Sequence, residues 1–460
     1  MAEIQPTGAA SRSWDPAGTH KGFFPGWTVV AACFLSMNFS VGITFAAYSP
    51  LVVPIQEAFG TSRAMASSAL SATGLMLGLC APLVGGLVQR FSARAVMMGG
   101  ATLVMLGFLL ASLSREIFHL LTQVGAIGGL IAIGSALPGW LTFPVGPVSV
   151  MIAIYGTFIG AGFVAMGIVP CSTLVTRWFN ARRGLALGII NLFPGMALFP
   201  VLVAYTVANF GLKGALLGNA ALFALLLPTL LLIRNKPEDQ GIEPLGGKPD
   251  DPLPADPAAP ATAEETTGSL IRNPSFWLLS LGIAMLTGIA NVLTVHMMPM
   301  LLDAKVPVAQ AGMVLFVYGM ALAFSAPAFG AVIDRIGPFR TLLLEVSIVL
   351  LPWVAMAILT TSFDNFIVLM AIVGIANGGI VTLHTSTAAR LFSPAQYSRA
   401  MGLGYFVKMP FLFVGPPLGG YIYDRTGNYE LAILGGIATI LIAGTLFAAL
   451  LMTNRAKPKA

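Results

Sequence analysis

Lys408 is the residue whose type and position point most directly to chemistry in this chain. It stands in the stretch 400–421, where its neighbours on both sides are apolar or weakly polar for many residues. A charged side chain inside a membrane span is costly, so it usually faces an internal cavity and marks a ligand path. Lys408 therefore predicts a site for an anion. The alternative is a structural lysine that snorkels to the interface or pairs with a carboxylate.

A few other polar residues in apolar stretches could contribute to the same site. Tyr405 lies three residues before Lys408, on a similar face of a helix, and could supply a hydroxyl donor or simply pack. His384 and His296 are the two histidines in apolar stretches, and each could carry a proton near neutral pH or be a hydrogen-bonded structural residue. Three asparagines near the middle of such stretches could line a cavity or bond one helix to another: Asn38, Asn191 and Asn377.

The composition is that of a protein embedded in a membrane. Of 460 residues, 57% are hydrophobic and 9% are charged, and the mean hydropathy is +0.86, whereas a soluble domain carries roughly 25% charged residues. The net charge of +6 is spread through short loops and tails, so it indicates membrane orientation and not nucleic acid binding. The three cysteines lie in apolar stretches without metal-like spacing, and residues 1–20 show no signal peptide.

Twelve stretches are long and apolar enough to cross a bilayer, which takes about 20 residues. They fall in two sets of six, at 26–47, 64–88, 95–113, 148–175, 184–210, 214–233, 275–302, 312–333, 341–360, 366–389, 400–421 and 431–452. The sequence thus predicts an all-α integral membrane protein with two six-helix bundles. The predicted parts are a cytoplasmic tail 1–21, a first bundle 22–233, a flexible cytoplasmic linker 234–272, a second bundle 273–453 and a cytoplasmic tail 454–460.

The distribution of basic residues sets the predicted orientation. With both ends inside, 18 of the 24 lysines and arginines lie on the inner side, 5 lie on the outer side and Lys408 lies within a span. An inner excess of this kind is the usual orientation signal. A thirteenth span at 120–137 is disfavoured, because it would move Arg177, Arg182 and Arg183 to the side opposite Arg90. This stretch is instead predicted to be an interfacial or re-entrant insertion on the outer side.

Two motifs occur twice in the same order and indicate an internal duplication, so the two bundles should be pseudo-symmetric. The loops after the second and eighth spans both fit G-x-x-x-[DQ]-R-x-[GS], with another arginine two or three residues on. Their key residues are Gly85, Gln89, Arg90 and Arg94 in the first copy and Gly330, Asp334, Arg335, Gly337 and Arg340 in the second. A second motif places Arg177 and Arg183 before Pro194 and Pro200, and repeats with Arg390, Arg399, Pro410 and Pro416.

The repeated loops and the layout of six spans, a linker and six spans resemble the major facilitator superfamily over nearly the whole chain. Narrower features resemble its monocarboxylate porter and oxalate:formate antiporter branch: the segment 177–188, Lys-Pro-Glu-Asp-Gln-Gly at 236–241 and Gly-Pro-Pro-Leu-Gly-Gly at 415–420. Tyr405 and Lys408 are similar to the Tyr-x-x-Lys of antiporter-like members, whose lysine faces the substrate. Span eight lacks the arginine of that branch and span one lacks the lysine of the porters, which favours a monocarboxylate over a dicarboxylate.

The repeats and the resemblance together imply roles for the candidate residues. Lys408 would neutralise a carboxylate, and its counterpart in the first copy is Leu192, an asymmetry that favours a substrate role. The arginines of the repeated motifs would control conformation by bonding helix ends and carboxylates in one state and releasing them in another. Glu345, near Arg340, is interpreted as a gate or scaffold charge. No carboxylate is then expected deep in a span, so the proton would travel on His384, on His296 or shared with Lys408.

Secondary transport of small organic anions is the predicted function, with a monocarboxylate and a proton moving by alternating access. The alternatives are efflux of amphipathic molecules, for which the 21 methionines and 29 phenylalanines could line a pocket, and a solute sensor that does not transport. An enzyme is disfavoured, since no span carries a clustered His/Asp/Glu set. We expect no cofactor, no metal and no nucleic acid. The expected partners are a small organic anion, protons and lipid, for a monomer in the plasma (cell inner) membrane.

Overall fold

The chain is almost entirely helical. The computed structural model describes residues 24–124, 146–246, 267–359 and 362–455. The helices of the first half are α1 Gly26–Thr44, α2 Val52–Phe59, α3 Arg63–Arg90, α4 Ala93–Ser112, α5 Ser114–Gln123, α6 Pro147–Ile154, α7 Ala161–Met166, α8 Ile168–Trp178, α9 Arg183–Ile190 and α10 Gly195–Leu230. A 3-10 turn at Ala46–Leu51 joins α1 to α2, and a π-helical turn at Tyr155–Gly160 joins α6 to α7.

The second half contains longer, mostly unbroken helices. They are α11 Thr267–Arg272, α12 Pro274–Asp303, α13 Val308–Ile336, α14 Pro338–Ile358, α15 Phe363–Leu391, α16 Pro394–Thr426 and α17 Glu430–Arg455. Within the residues described there is no β-strand, and the one β-bridge, between Phe179 and Leu245, is isolated. The all-α architecture predicted from the sequence is confirmed.

Ten segments of the described chain are long and apolar enough to cross a membrane. One of them, Leu185–Leu230, has 46 residues and holds two of the predicted spans, because Gly211, with a φ of +66°, interrupts its helix. Helix α16 stands outside the ten because Lys408 itself, together with glycine, proline and tyrosine residues, lowers its mean hydropathy. Dividing the long segment and adding α16 gives the twelve spans predicted from the sequence.

The two copies of the repeated loop form tight turns between long helices. In the first copy α3 ends at Arg90, and the Ser92 side chain starts α4 by accepting a hydrogen bond from the Ala95 N–H at 3.1 Å. In the second copy Gly337, with a φ of +80°, separates α13 from α14. Such caps satisfy donors that the first turn of a helix cannot pair internally. Equivalent serine caps begin three other long helices, at Ser62, Ser362 and Ser393.

The fifth predicted span is broken where its counterpart, the eleventh, is continuous. The break lies between α9 and α10, just before Pro194. The Asn38 amide of α1 fills it: its nitrogen donates to the Leu192 carbonyl at 3.0 Å, and its oxygen accepts from the Gly195 N–H at 2.7 Å. These backbone groups therefore find partners within the protein, as a membrane interior requires. Helix α16 runs through its three prolines without such a break.

Buried apolar side chains form two clusters that follow the two halves of the chain. One cluster draws on α1 to α10 and the other on α11 to α17. Val295 of α12 packs in the first cluster and Ala204 of α10 in the second, so the halves meet at these positions. Two separate cores agree with a pair of bundles that each bury their own apolar faces.

The first residues of the predicted linker fold back on the first bundle. The Leu245 N–H donates to the Trp178 carbonyl at 2.9 Å, and the Leu245 carbonyl accepts from the N–H groups of Asn180 and Ala181. The Trp178 indole donates to the Arg234 carbonyl at 3.0 Å. The expectation of a flexible linker is therefore wrong for residues 234–246, because their backbone pairs with the loop after α8. Residues 247–266 of the predicted linker lie outside the described residues.

A short helix, α5, begins close to the predicted outer insertion. Its Glu116 carboxylate accepts a hydrogen bond from Lys213, 3.1 Å away near the start of the sixth span. A backbone hydrogen bond within Glu116 and the Lys213 ammonium lower the pKa of that carboxyl group. Because residues 125–145 lie outside those described, the interfacial or re-entrant placement of 120–137 stays a prediction.

Candidate functional site

Lys408 and His384 lie together in the second bundle. The Lys408 Nζ of α16 is 3.1 Å from the His384 Nδ1 of α15, and the two residues are 4% and 2% exposed. They are 24 positions apart in the chain, and the antiparallel packing of α15 and α16 brings them into contact. Within the part of the chain that the structure describes, no carboxylate forms an ion pair with Lys408.

The hydrogen bond between these two residues determines where their protons are. When Lys408 is protonated its ammonium can only donate, so His384 Nδ1 accepts and the ring proton is on Nε2. A second positive charge at 3.1 Å would raise the energy by about 5 kcal/mol at an effective dielectric constant of about 20. As long as no anion is bound, the Lys408–His384 pair therefore holds a single positive charge, which is on Lys408.

Tyr405 and two small residues shape the surroundings of this pair. The Tyr405 ring centroid is 4.7 Å from the Lys408 Nζ, a cation–π distance, and the ring meets His384 edge-on. Gly404 leaves room for the imidazole, since a Cβ there would lie 3.1 Å from His384 Nε2 and 3.6 Å from the Ser280 hydroxyl. Three predicted site residues, Lys408, Tyr405 and His384, are thus brought together. Ser280 was not predicted, because a serine in an apolar span is common.

The two halves of the chain meet along α3 and α16, which run antiparallel. A Cβ on Gly420 would lie 2.6 Å from the Ala64 nitrogen, and one on Gly78 would lie 2.5 Å from the Met409 sulfur. Glycine at these positions allows the helices to touch closely. Because Met409 follows Lys408 directly, the buried cation lies near one end of this closed contact.

Beyond Lys408 the same two helices separate. In the antiparallel register Gly85 of α3 would face Gly402 of α16, yet a Cβ on either glycine would meet no atom within 4 Å. Phe406, one turn from Gly402 on a similar face of α16, is 59% exposed. The halves are therefore closed on the side of Arg63 and open on the side of the repeated loops, which we call the arginine-loop side.

The predicted gating residues lie on this open side, and several of their charged side chains are exposed. Asp334, Arg335 and Arg340 are exposed, and no ion pair joins them among the described residues. The Arg94 N–H donates to the Asn235 side chain at 3.0 Å, so this loop touches the start of the linker. The remaining candidates lie at the ends of α3, α8 and α13 or at the start of α9: Gly85, Gln89, Arg90, Arg177, Arg183, Gly330 and Gly337.

The three predicted asparagines lie in different places. Asn38 fills the break in the fifth span, and Asn191 donates to the Leu187 carbonyl one turn earlier, at 2.8 Å. Asn377 donates to the Tyr318 hydroxyl at 3.1 Å, and that hydroxyl lies 3.2 Å from the Thr294 hydroxyl. Asn377 is two helical turns from His384 on the same face of α15. Each of the three amides is thus hydrogen-bonded to a residue of a helix or of the broken fifth span, and no hydrogen bond to Lys408 is found for any of them among the described residues.

His296 belongs to a separate polar cluster on the Arg63 side. Its Nδ1 is 3.0 Å from the Tyr429 hydroxyl and its Nε2 is 2.9 Å from the Pro416 carbonyl. Tyr429 in turn bonds Arg63, which pairs with Asp303. The sequence analysis missed this cluster, because charges at the ends of spans are ordinary and give no signal of their own.

Glu345, which the sequence analysis interpreted as a gate or scaffold charge near Arg340, has no charged partner in the structure among the described residues. It is 1% exposed in α14, and neither of its carboxylate oxygens has a hydrogen-bond partner in the described chain. It therefore pairs with none of the described arginines, and its carboxylate is buried inside the second bundle. A buried carboxylate without partners is expensive when charged.

The two bundles are closed on one side and open on the other, and they enclose a buried cation. This arrangement is that of a membrane transporter that can expose one site to each side in turn. The profile of the Major Facilitator Superfamily matches residues 34–362 and 303–460. The chain belongs to this superfamily, as its motifs predicted, and it is a secondary transporter and not an enzyme.

Several proteins that are similar to this chain carry the name monocarboxylate transporter. Monocarboxylate transporter 12 of Mus musculus is 25% identical over 432 residues, covering 89% of this chain and 82% of that protein. Monocarboxylate transporter 11 of Mus musculus is 27% identical over 434 residues, covering 91% and 86%. Monocarboxylate transporter 2 of Homo sapiens is 23% identical over 444 residues, covering 91% and 84%.

Solved structures share the fold at low identity. A bacterial homolog of the human lysosomal transporter Spinster, in an inward-facing and occupied conformation, has a TM-score of 0.61 and 15% identity, over 94% of this chain and 96% of that chain. The nucleoside transporter NupG has a TM-score of 0.64 and 13% identity, over 93% and 99%. These likenesses concern the fold alone.

Proposed function

We propose that the protein carries small monocarboxylates together with a proton by alternating access. The observation that carries this proposal is the buried ammonium of Lys408, which has the neutral His384 ring as its hydrogen-bond partner and no carboxylate paired with it in the described residues. A buried cation without a counter-ion attracts an anion small enough to reach it. The relatives named monocarboxylate transporters support a carboxylate as that anion.

The charge of the site favours one carboxylate per cycle. The Lys408–His384 pair holds one positive charge, and 312–333 of span eight contains no arginine that could bind a second carboxylate. A dicarboxylate would therefore leave one negative charge unpaired in a buried site, which is unfavourable. The sequence gives the same preference through its departures from the antiporter branch.

The proton enters with the anion because of the same pair. Once a carboxylate neutralises Lys408, the repulsion that keeps His384 uncharged is offset, and the ring can accept a proton on Nδ1. The loaded site then carries two positive charges and one negative charge, so its net charge equals that of the empty site. Movement of one anion with one proton is therefore electroneutral.

The proposal also covers the orientation of the protein in the membrane and the boundaries of the two bundles and the linker. The excess of basic residues on the arginine-loop side favours a cytoplasmic location for that side and for both termini. The bundles would extend over 22–233 and 273–453, joined through 234–272, in a monomer of the plasma (cell inner) membrane. One chain contains both bundles, so a monomer suffices.

The test is uptake of radiolabelled acids into proteoliposomes. Lactate, pyruvate, acetate, formate and oxalate are compared with and without an inward proton gradient, for the wild type, Lys408→Ala and Lys213→Ala. Lys213 is an exposed lysine paired with Glu116, so its variant controls for loss of a positive charge. We expect gradient-stimulated uptake of at least one monocarboxylate. This uptake should fall at least about a hundredfold in Lys408→Ala, because the bound acid loses the buried ammonium that pairs with its carboxylate. Uptake unchanged in Lys408→Ala would contradict the proposal.

A further inference from the structure

Arg63 makes the tightest polar contact between the two bundles. It is the first residue of α3 and is 5% exposed. Its Nη1 and Nη2 donate to the two Asp303 oxygens at 2.5 and 3.2 Å, and its Nη1 also donates to the Tyr429 hydroxyl at 3.0 Å. The guanidinium lies 3.7 Å from the centroid of the Tyr423 ring. A two-pronged ion pair with aromatic stacking is a contact that arginine, and not lysine, can form.

Asp424 of α16 extends this contact to the backbone of α3. Its two oxygens accept the N–H groups of Arg63 and Ala64, each at 2.9 Å. These N–H groups belong to the first turn of α3, where donors lack partners within the helix and a negative charge is favoured. The second bundle thus caps a helix of the first. Separation of the bundles here must break the ion pair and the cap together.

His296 is connected to this contact through one hydroxyl group. Pro416 can only accept, so His296 Nε2 carries the ring proton and Nδ1 accepts from Tyr429. The Tyr429 oxygen in turn accepts from Arg63. The hydrogen bonds therefore point in one direction, from Arg63 to Tyr429 to His296 to Pro416. This order requires an uncharged imidazole.

A protonated His296 conflicts with the closed contact. Its Nδ1–H would face the Tyr429 oxygen, which already accepts from Arg63, so two donors would compete for one acceptor. Both nitrogens are 3.0 Å from that oxygen and hence no more than 6.0 Å apart, which places two cations close together. The nearby carboxylates do not offer His296 another acceptor, since the oxygens of Asp303 already accept from Arg63 and those of Asp424 from the first turn of α3.

The other surroundings of His296 supply no further charge. Tyr423 stacks on Arg63, and Gly419 of α16 leaves room for the ring, since a Cβ there would lie 3.1 Å from Nε2. From α14, Trp353 and Met356 line a small, largely apolar cavity with His296. The titratable groups that face the imidazole are thus those of the Arg63 contact itself.

We propose that Arg63, Asp303, Asp424, Tyr429 and His296 form a proton-sensitive latch that closes the transporter on the Arg63 side. With His296 neutral the latch closes, and protonation of His296 favours the open state. By linkage, acid on that side shifts the protein toward exposing its site there. The latch sets which side is open, whereas the Lys408–His384 pair binds the cargo, so the two functions fail separately.

The test measures the latch distance without any substrate. Spin labels are placed at Glu57→Cys and Glu430→Cys, two exposed positions on opposite bundles, in the full chain with Cys80→Ala; Cys33 and Cys171 are buried. Pulsed electron paramagnetic resonance in nanodiscs then gives the distance distribution between about pH 8 and about pH 5.5, where histidine changes charge. We expect the long-distance population to grow on acidification, by at most about tenfold per pH unit because one proton is linked.

Three variants test whether His296 and Tyr429 carry this pH response. His296→Gln keeps a neutral donor and acceptor, so its distances should stay short and independent of pH. Tyr429→Phe removes the hydroxyl that links His296 to Arg63 and should also flatten the pH response. His119→Gln, a control at an exposed histidine of α5 outside both polar clusters, should respond as the wild type does. An unchanged response in His296→Gln, no response in the wild type, or an equal loss of response in His119→Gln would overturn the proposal.

Discussion

Lys408 and His384 show how contact changes what a residue can do. Each alone is a plausible ion or proton site, but at 3.1 Å each controls the charge of the other. The first bundle has no such pair: the counterpart of Lys408 is Leu192, and Cys171 stands six residues before Arg177 as His384 does before Arg390. The chemistry therefore resides in one half of a duplicated scaffold.

The proton role of His384 leads to a prediction about coupling. Glutamine at this position can accept a hydrogen bond from Lys408 but cannot gain a proton. In His384→Gln we expect the accumulation ratio of labelled acid under an inward proton gradient to fall to about one, because no proton is carried. Exchange of labelled for unlabelled acid across the same vesicles should persist, since Lys408 still binds the anion. Gradient-driven accumulation at the wild-type level would show that His384 does not carry the proton.

Single residues also mark the limit of prediction from the sequence. Lys408, Tyr405 and His384 could be named because polar groups in apolar spans are rare and expensive. Their contact could not be predicted, because it depends on how α15 and α16 rotate against each other. Arg63, Asp303 and Asp424 could not be singled out, since charges at the ends of spans are expected in any membrane protein.

Among the helices, the fifth span is broken where its copy, the eleventh, is continuous. The positions of spans followed from hydropathy, and the repeat predicted matching prolines in spans five and eleven. The break itself was not predictable, because the Asn38 amide that stabilises it comes from α1, far away in the sequence. Helix α16 keeps its full length, so Lys408 is held on a continuous helix.

Removal of the Asn38 amide should destabilise the first bundle. Asn38→Leu leaves the Leu192 carbonyl and the Gly195 N–H without partners in a buried site, so we expect a loss of about 1–2 kcal/mol in the free energy of unfolding. Asn191→Leu is the matched control, since its amide bonds one turn back within α9, and its loss should stay below about 0.5 kcal/mol. Reversible unfolding in mixed detergent micelles measures both variants. Equal losses would show that Asn38 does not stabilise the break.

For the whole molecule, the contact between α3 and α16 defines the conformational state. It is closed from Gly420 to Gly78, and it is open at Gly85 and Gly402. The exposed arginine loops agree with this state, because a motif that bonds the halves together in one conformation must release them in the other. The sequence predicted the loops and their gating role, but the state itself depends on contacts between distant segments.

Cysteine cross-linking can test this register and the opening. Gly74→Cys with Leu412→Cys is the control pair, since a Cβ on Gly74 would lie 3.3 Å from the Leu412 Cβ, close to disulfide geometry. That pair should cross-link rapidly in the absence of substrate. Gly85→Cys with Gly402→Cys should react at least about tenfold more slowly and gain speed when the arginine-loop side closes. Equal rates for both pairs in substrate-free protein would contradict the open state.

The close approach of Gly78 to Met409 has a mechanical consequence. This contact lies beside Lys408. Measured from Met409 along α16 at about 1.5 Å per residue, the latch at Gly420 is about 16 Å away in one direction, and the mouth of the cavity at Gly402 is about 10 Å away in the other. If this contact serves as the pivot when the bundles rock, the cargo stays nearly stationary while the two ends of the helix pair act as lever arms. One rotation then displaces the latch about one and a half times as far as the mouth. A small tilt that only begins to narrow the mouth is therefore enough to pull apart the short hydrogen bonds of Arg63.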